Sequence, residues 1–212
     1  MDNLSDFYRR KIKNWYKNQQ DEDKAINRII AQRKKIIDLL RSTKRDGVEK
    51  VIQYLDDSGF YYRASSVHGH HNFPGGLAEH CYGTYLLATA KNAGKLPEDQ
   101  VIIAALLHDI CKSDRFWFKG RSIRKHTPKC EMDGRHSVRS IVIIKDCGLV
   151  LTENERLAIR WHMKGPRYHS RDSRKEADHS KAIKNPLWNV VFYSDKEDAK
   201  AHPGRPIIVK YN

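Results

Sequence analysis

The chain has 212 residues, of which 39% are hydrophobic and 31% charged, a soluble globular balance rather than a disordered one. Its longest unbroken apolar run, Val101 to Leu107, is seven residues, far short of the ~20 that span a bilayer, so no membrane partner is expected. Forty Lys and Arg against 26 Asp and Glu give a net charge of +14, a field that favours an anionic partner such as a nucleotide, a nucleic acid or a phosphorylated metabolite.

The charge is uneven. Residues 1–45 carry 13 basic and 6 acidic side chains, and segments 112–135 and 160–184 carry 8 and 3 each. From Leu4 to Leu40 the pattern is helical, with Ile26, Ile29, Ile30, Arg33, Ile36, Ile37 and Leu40 on one stripe. Asp21, Glu22 and Asp23 mark a helix start, where negative charge suits the dipole. A short helix, Val48 to Asp56, ends in the turn signal DDSG. Residues 60–76, with Phe60, Tyr61, Tyr62, three histidines and FPGG, read as an irregular, packed entry to a helix from Leu77 to Ala93. Pro97 opens another through Lys112, and a basic, aromatic loop follows from Ser113 to Arg135. A helix covers His136 to Asp146. Thr152 with Glu155 forms a capping box that opens a helix through His162. Residues 164–184 read as a mobile loop, and Asn185 caps a last helix with Pro186 in its first turn. The one strand candidate is IIVK at 207–210. The expectation is an all-α fold, residues 46–205 forming one domain and residues 1–45 a basic helical extension whose stripe packs back onto it. Cys81, Cys111, Cys130 and Cys147 form no CxxC pair, and the first dozen residues lack the apolar stretch of a secretory signal. Both fit a reducing cytoplasm.

The pair His108-Asp109 ends the most apolar helix, VIIAALLHDICK, where an unpaired charge costs several kcal/mol. A metal ion is one of few adequate partners. His80, His136, His162 and Asp195 lie on or beside the apolar faces of other helices. Taken singly, each suits a satisfied core polar group. Together, four imidazoles and two carboxylates form a nitrogen–oxygen set suited to Mn, Fe, Co, Ni or Zn, and six ligands suffice for one or two ions per chain.

The order His80, His108-Asp109, Asp195 resembles the H…HD…D signature of the HD superfamily of metal-dependent phosphohydrolases. HHNFPGGLAEH at 70–80, LLHDICK at 106–112 and AIRWHM at 158–163 resemble small bacterial and phage HD-domain proteins. The first is also similar to the HD module of bacterial 3′–5′ exoribonucleases. The resemblance covers roughly residues 46–200 and implies an HD-type helical bundle. It implies that His80, His108, Asp109 and Asp195 bind a first metal, with Asp109 bridging to a second held by His136 and His162. It further implies that Lys112 faces substrate phosphate and that His70 contacts it. Two departures, DGRH before His136 and a single His162 where some members have a pair, leave the second metal less specified.

A bound divalent ion lowers the pKa of its water toward ~7, and Lys112 would offset charge developing on phosphate. Arg115, Arg121, Arg124, Lys125 and His126 lie on the following loop, within reach of a substrate or simply as a solvated surface. Trp117 and Phe118 suit base stacking or packing equally. The leading expectation is hydrolysis of a phosphate ester of nucleotide or nucleic-acid type. The alternative is a nucleotide or nucleic-acid binding module with a structural or vestigial metal site. A second copy of the chain is left open as a partner.

Overall fold

The computed structural model describes residues 4–125 and 136–204. Among these the chain is all-α, with one two-stranded hairpin as its sheet. No described helix is long and apolar enough to cross a membrane.

The fold is organised around the helix that has no polar face. In α5 (Glu98–Leu107) every residue from Val101 to Leu107 is buried, as an all-apolar helix requires. Around it pack α4 (Gly76–Asn92), α7 (Glu153–Trp161) and α9 (Pro186–Ala201), and α2 (Gln19–Ser42) lies against α4 and α5. The apolar stripe of α2 does pack back: Ile26, Ile29, Ile36, Ile37 and Leu40 are buried in the same core, while Arg33 leaves it to grip Asp56 of α3 (Val48–Ser58) with two 2.7 Å hydrogen bonds. The turn between α2 and α3 is pinned by Arg45, which donates to Asp99 and to the buried Glu155, each at 2.9 Å.

Capping residues explain the boundaries. Asn18 caps α2, its Oδ1 accepting from Asp21 N–H at 2.8 Å, and Asp21 and Glu22 occupy the first turn, at the helix start as expected. A separate α1 (Leu4–Ile12) precedes it. The Thr152–Glu155 capping box and the Asn185 cap with Pro186 behind it form as the sequence indicates.

Three expectations need correction. The helix from Pro97 stops at Leu107, and a 3₁₀ turn over Ile110–Lys112 replaces its last turn. The loop after Ser113 holds the hairpin β1 (Phe116–Lys119) and β2 (Ser122–Lys125), with Phe116 paired to Lys125. Phe116 and Ile123 are buried beneath it. The polar stretch 164–184 contains α8 (Ser173–Ile183), capped by Asp172 and held to α7 by Asp178, which accepts from Trp161 Nε1 at 2.8 Å and from Arg156 at 2.5 Å. Its only buried residues are His179 and Ala182, too narrow a stripe to announce a helix. His126 and the strand candidate at 207–210 lie outside the described residues. The remaining described helix is α6 (His136–Asp146).

Candidate metal centre

Four of the singled-out side chains converge where α4, α5 and α9 meet. His80 Nε2 lies 3.3 Å from His108 Nε2, 3.1 Å from Asp195 Oδ1 and 3.7 Å from Asp109 Oδ2. His108 Nε2 is 3.4 Å from the same Asp109 oxygen and 3.9 Å from Asp195 Oδ1. Atoms bonded to one first-row ion at about 2.0–2.2 Å stand roughly 3–3.5 Å apart, so these separations resemble the edges of a coordination shell. All four residues are buried.

The orientation of the rings follows from local backbone. α5 ends at His108, whose Nδ1 takes the carbonyl of Ala105 at 2.8 Å. A carbonyl only accepts, so Nδ1 carries a proton and Nε2 is the ring nitrogen turned inward. α7 ends in the same way, with His162 Nδ1 on the Ile159 carbonyl at 2.8 Å. His80 is fixed by a carboxylate instead, its Nδ1 donating to Asp198 Oδ2 at 2.7 Å. Such an outer partner sets tautomer and ring angle in metal-binding histidines. Past His108, Asp109 leaves helical geometry (φ −112°, ψ 17°). Ser140 of α6 bridges the break, donating to the His108 carbonyl at 2.8 Å.

That break aims the Asp109 carboxylate at two sets of imidazoles. While Oδ2 faces His80 and His108, Oδ1 lies 3.5 Å from His162 Nε2. Asp109, His136 and His162 form a second group able to hold an ion, with ligand atoms within 4.8 Å of one another. Asp109 Oδ1, His136 Nε2, His162 Nε2 and Asp195 Oδ2 are buried with no hydrogen-bond partner, and a bound ion is one of the explanations such buried polar atoms call for. The buried His/Asp clusters can hold a metal ion.

The electrostatics suit that use. Burial alone would raise the Asp109 carboxyl, but the Lys112 ammonium, 2.6 Å from Oδ2, and His108 outweigh it and hold it well below the usual range. Asp195 is likewise held low, its bond to His80 outweighing burial. Burial pushes His136 down to about 4, and His70 and His71 to about 3, so all three are neutral at neutral pH. His80 goes the other way: burial opposes its charge, but hydrogen bonds to Asp195 and Asp198 raise it. The carboxylates placed to balance a metal hold a proton in its place.

Comparison with protein-family models, curated proteins and solved structures finds no match. The site therefore stands on its own geometry.

The residues expected to meet substrate divide. Lys112 sits on Asp109, and the His70 ring is 4.4 Å from that of His80. Arg115 is half-buried, and its charge is among those lowering His136 after burial. Arg121, in the hairpin turn, and Arg124, on β2, are exposed, unlike the buried cluster. Phe118 packs edge-on against Trp15, ring centres 4.9 Å apart, whereas Trp117 is 38% exposed with the Arg63 guanidinium 5.0 Å from its ring centre. Cys81 and Cys111 are buried, as small fillers should be. Sequence reasoning missed His71, Asp198 and His202. The signal for Asp198 was its position three residues after Asp195 on one helix, which puts both on the same face.

Proposed function

We propose that the chain is a metal-dependent phosphohydrolase that cleaves a phosphate ester of nucleotide or nucleic-acid type. One observation carries the reading: the buried Asp109 carboxylate lies between two sets of imidazoles, one oxygen toward each, with the Lys112 ammonium on the same group. His80, His108, Asp109 and Asp195 would hold one divalent ion, and Asp109, His136 and His162 a second. Imidazole and carboxylate donors suit Mn, Fe, Co, Ni or Zn.

A divalent ion in such a shell polarises a phosphoryl oxygen and brings the pKa of a water it binds toward ~7. The chain's own residues do the rest. Asp109 fixes the spacing of the two ligand sets, and its ionised state at neutral pH follows from its neighbours. Lys112, kept charged by Asp109 despite burial, supplies a fixed cation for charge that develops on phosphate. Its 2.6 Å bond to Asp109 keeps that cation oriented before substrate arrives. His70, neutral and half-buried, offers a hydrogen bond to a phosphate oxygen. The net charge of +14 favours encounter with an anionic ester. We place the activity in the reducing cytoplasm, a reading the free thiols of Cys81 and Cys147 support.

The test is Asp109→Ala, assayed on a panel of nucleotide monoesters and diesters with each candidate metal. Hydrolysis should fall at least ~100-fold, the scale for losing one preorganised electrostatic group, with helical content retained. Hydrolysis at the unmodified rate would sink the reading. Salt-dependent nucleic-acid binding without turnover by the unaltered chain would shift it to a binding module.

A further inference from the structure

Asp198 touches more than His80. Its Oδ2 accepts the His80 Nδ1 proton at 2.7 Å, but two histidines outside the clusters around Asp109 also approach the same carboxylate. His71 Nε2 lies 3.6 Å from Asp198 Oδ2, and His202 Nδ1 lies 3.5 Å from Oδ1. One nitrogen from each ring and one Asp198 oxygen fall within 4.8 Å of one another.

This trio does not satisfy itself. His71 is 1% exposed, yet its Nε2 has no hydrogen-bond partner. The 3.6 Å to Asp198 is beyond hydrogen-bond reach. It is, however, close to the roughly 3.3–3.5 Å edge between two ligands on one tetrahedral ion. The other His71 nitrogen, Nδ1, is engaged with His70 Nδ1 at 3.2 Å. His202 Nδ1 also lies 3.1 Å from the Asp198 backbone carbonyl. Main-chain bonds already hold the ligand-bearing segments together, His71 N–H donating to the His202 carbonyl at 3.4 Å.

From this we infer that His71, Asp198 and His202 form a further binding site for a divalent first-row cation of the zinc type, separate from the clusters around Asp109. Two imidazoles and one carboxylate match the donor preference of such ions. Three protein ligands leave a fourth position, and the His202 side chain, 49% exposed, opens it to solvent. An ion there clamps the end of α9 to the segment that carries His70 and His71. It also fixes Asp198, and through Asp198 the ring of His80.

The experiment uses the full chain, stripped with chelator and titrated with Co²⁺, reading visible absorption and the metal count by elemental analysis. His71 is buried, so H71Q also disturbs packing; H202Q, at the half-exposed end of the trio, carries the test. H202Q should bind one equivalent fewer than the unmodified chain and lose the matching part of the absorption, and H71Q the same part. H108Q should keep that equivalent and lose another. Equal counts and affinities for H202Q and the unmodified chain would overturn the inference, as would a chain that binds no cobalt. The proposed function fails separately. A single ion lost in H202Q but kept in H108Q upholds this site and removes the centre at Asp109.

Discussion

Gly83 tests whether Asp198 governs the centre through His80. It lies in the middle of α4, where Gly→Ala ordinarily stabilises by about 1 kcal/mol. Here a Cβ would fall inside the contact radius of Asp198 Oδ1. A flexible surface carboxylate would swing away at little cost. Asp198 is 2% exposed, and its other oxygen holds His80 Nδ1 at 2.7 Å, so it moves only by giving up that bond or by pushing α9 from α4. Overpacking of this kind costs about 1–3 kcal/mol. Against the propensity gain, the metal-free protein should lose roughly 0–2 kcal/mol.

The larger effect should appear in metal binding. Loss of an outer-shell partner typically weakens affinity 10–100-fold, or about 1.4–2.7 kcal/mol. Zn²⁺ affinity should be measured by chelator competition in an H202Q background, which removes the further site, and metal-free stability by urea denaturation. Gly83→Ala should bind zinc at least tenfold more weakly and lose no more than about 2 kcal/mol of metal-free stability. If it is instead stabilised by the full helix-propensity gain and binds zinc as before, Asp198 does not position His80.

Other outcomes follow from the same geometry. The metal-free chain should lose stability as pH falls from ~6.5, the unfolded histidine value, toward 4. His70, His71 and His136 are held neutral by burial at about 3, 3 and 4, so the unfolded chain binds more protons in that window. His80 has the opposite sign, its contribution complete below ~6.5 and lost above its raised value. A urea midpoint that is flat from pH 7 to 4.5 would contradict this. Deleting residues 1–40 should abolish folding, seen as lost helical circular dichroism, because Tyr8, Ile12, Ile26, Ile29, Ile36, Ile37 and Leu40 are buried. At about 1.5–3 kcal/mol each they rival a whole domain's 5–15 kcal/mol. Glu155→Ala removes both the Arg45 partner and half of a capping box, and should cost about 3–5 kcal/mol while leaving zinc affinity unchanged.

What was legible in the sequence is what a one-dimensional pattern can encode. The stripe of α2, the apolar run of α5, the Thr152 box and the Asn185–Pro186 start each act within one or two turns, and each formed. The six candidate ligands stood out because polar groups are rare on apolar helix faces. The hairpin at 116–125 and α8 stayed hidden because each buries only two residues and relies on long-range ties. Asp178 meeting Trp161 is one, and Arg139 of α6 gripping Asp114 is another.

The break at His108-Asp109 is the instructive failure. Helix periodicity alone carries α5 through Lys112, yet a continuous helix would leave no means of turning one carboxylate toward two sets of rings. The chain stops the helix with groups that also serve the site. The His108 ring takes its own helix's carbonyl, Ser140 takes the next, and the released Asp109 adopts a non-helical φ. α7 repeats the device with His162 and the Ile159 carbonyl. In both places one proton on Nδ1 caps a helix and leaves Nε2 as the inward nitrogen, so the bond that satisfies a helix terminus also decides which nitrogen faces the site.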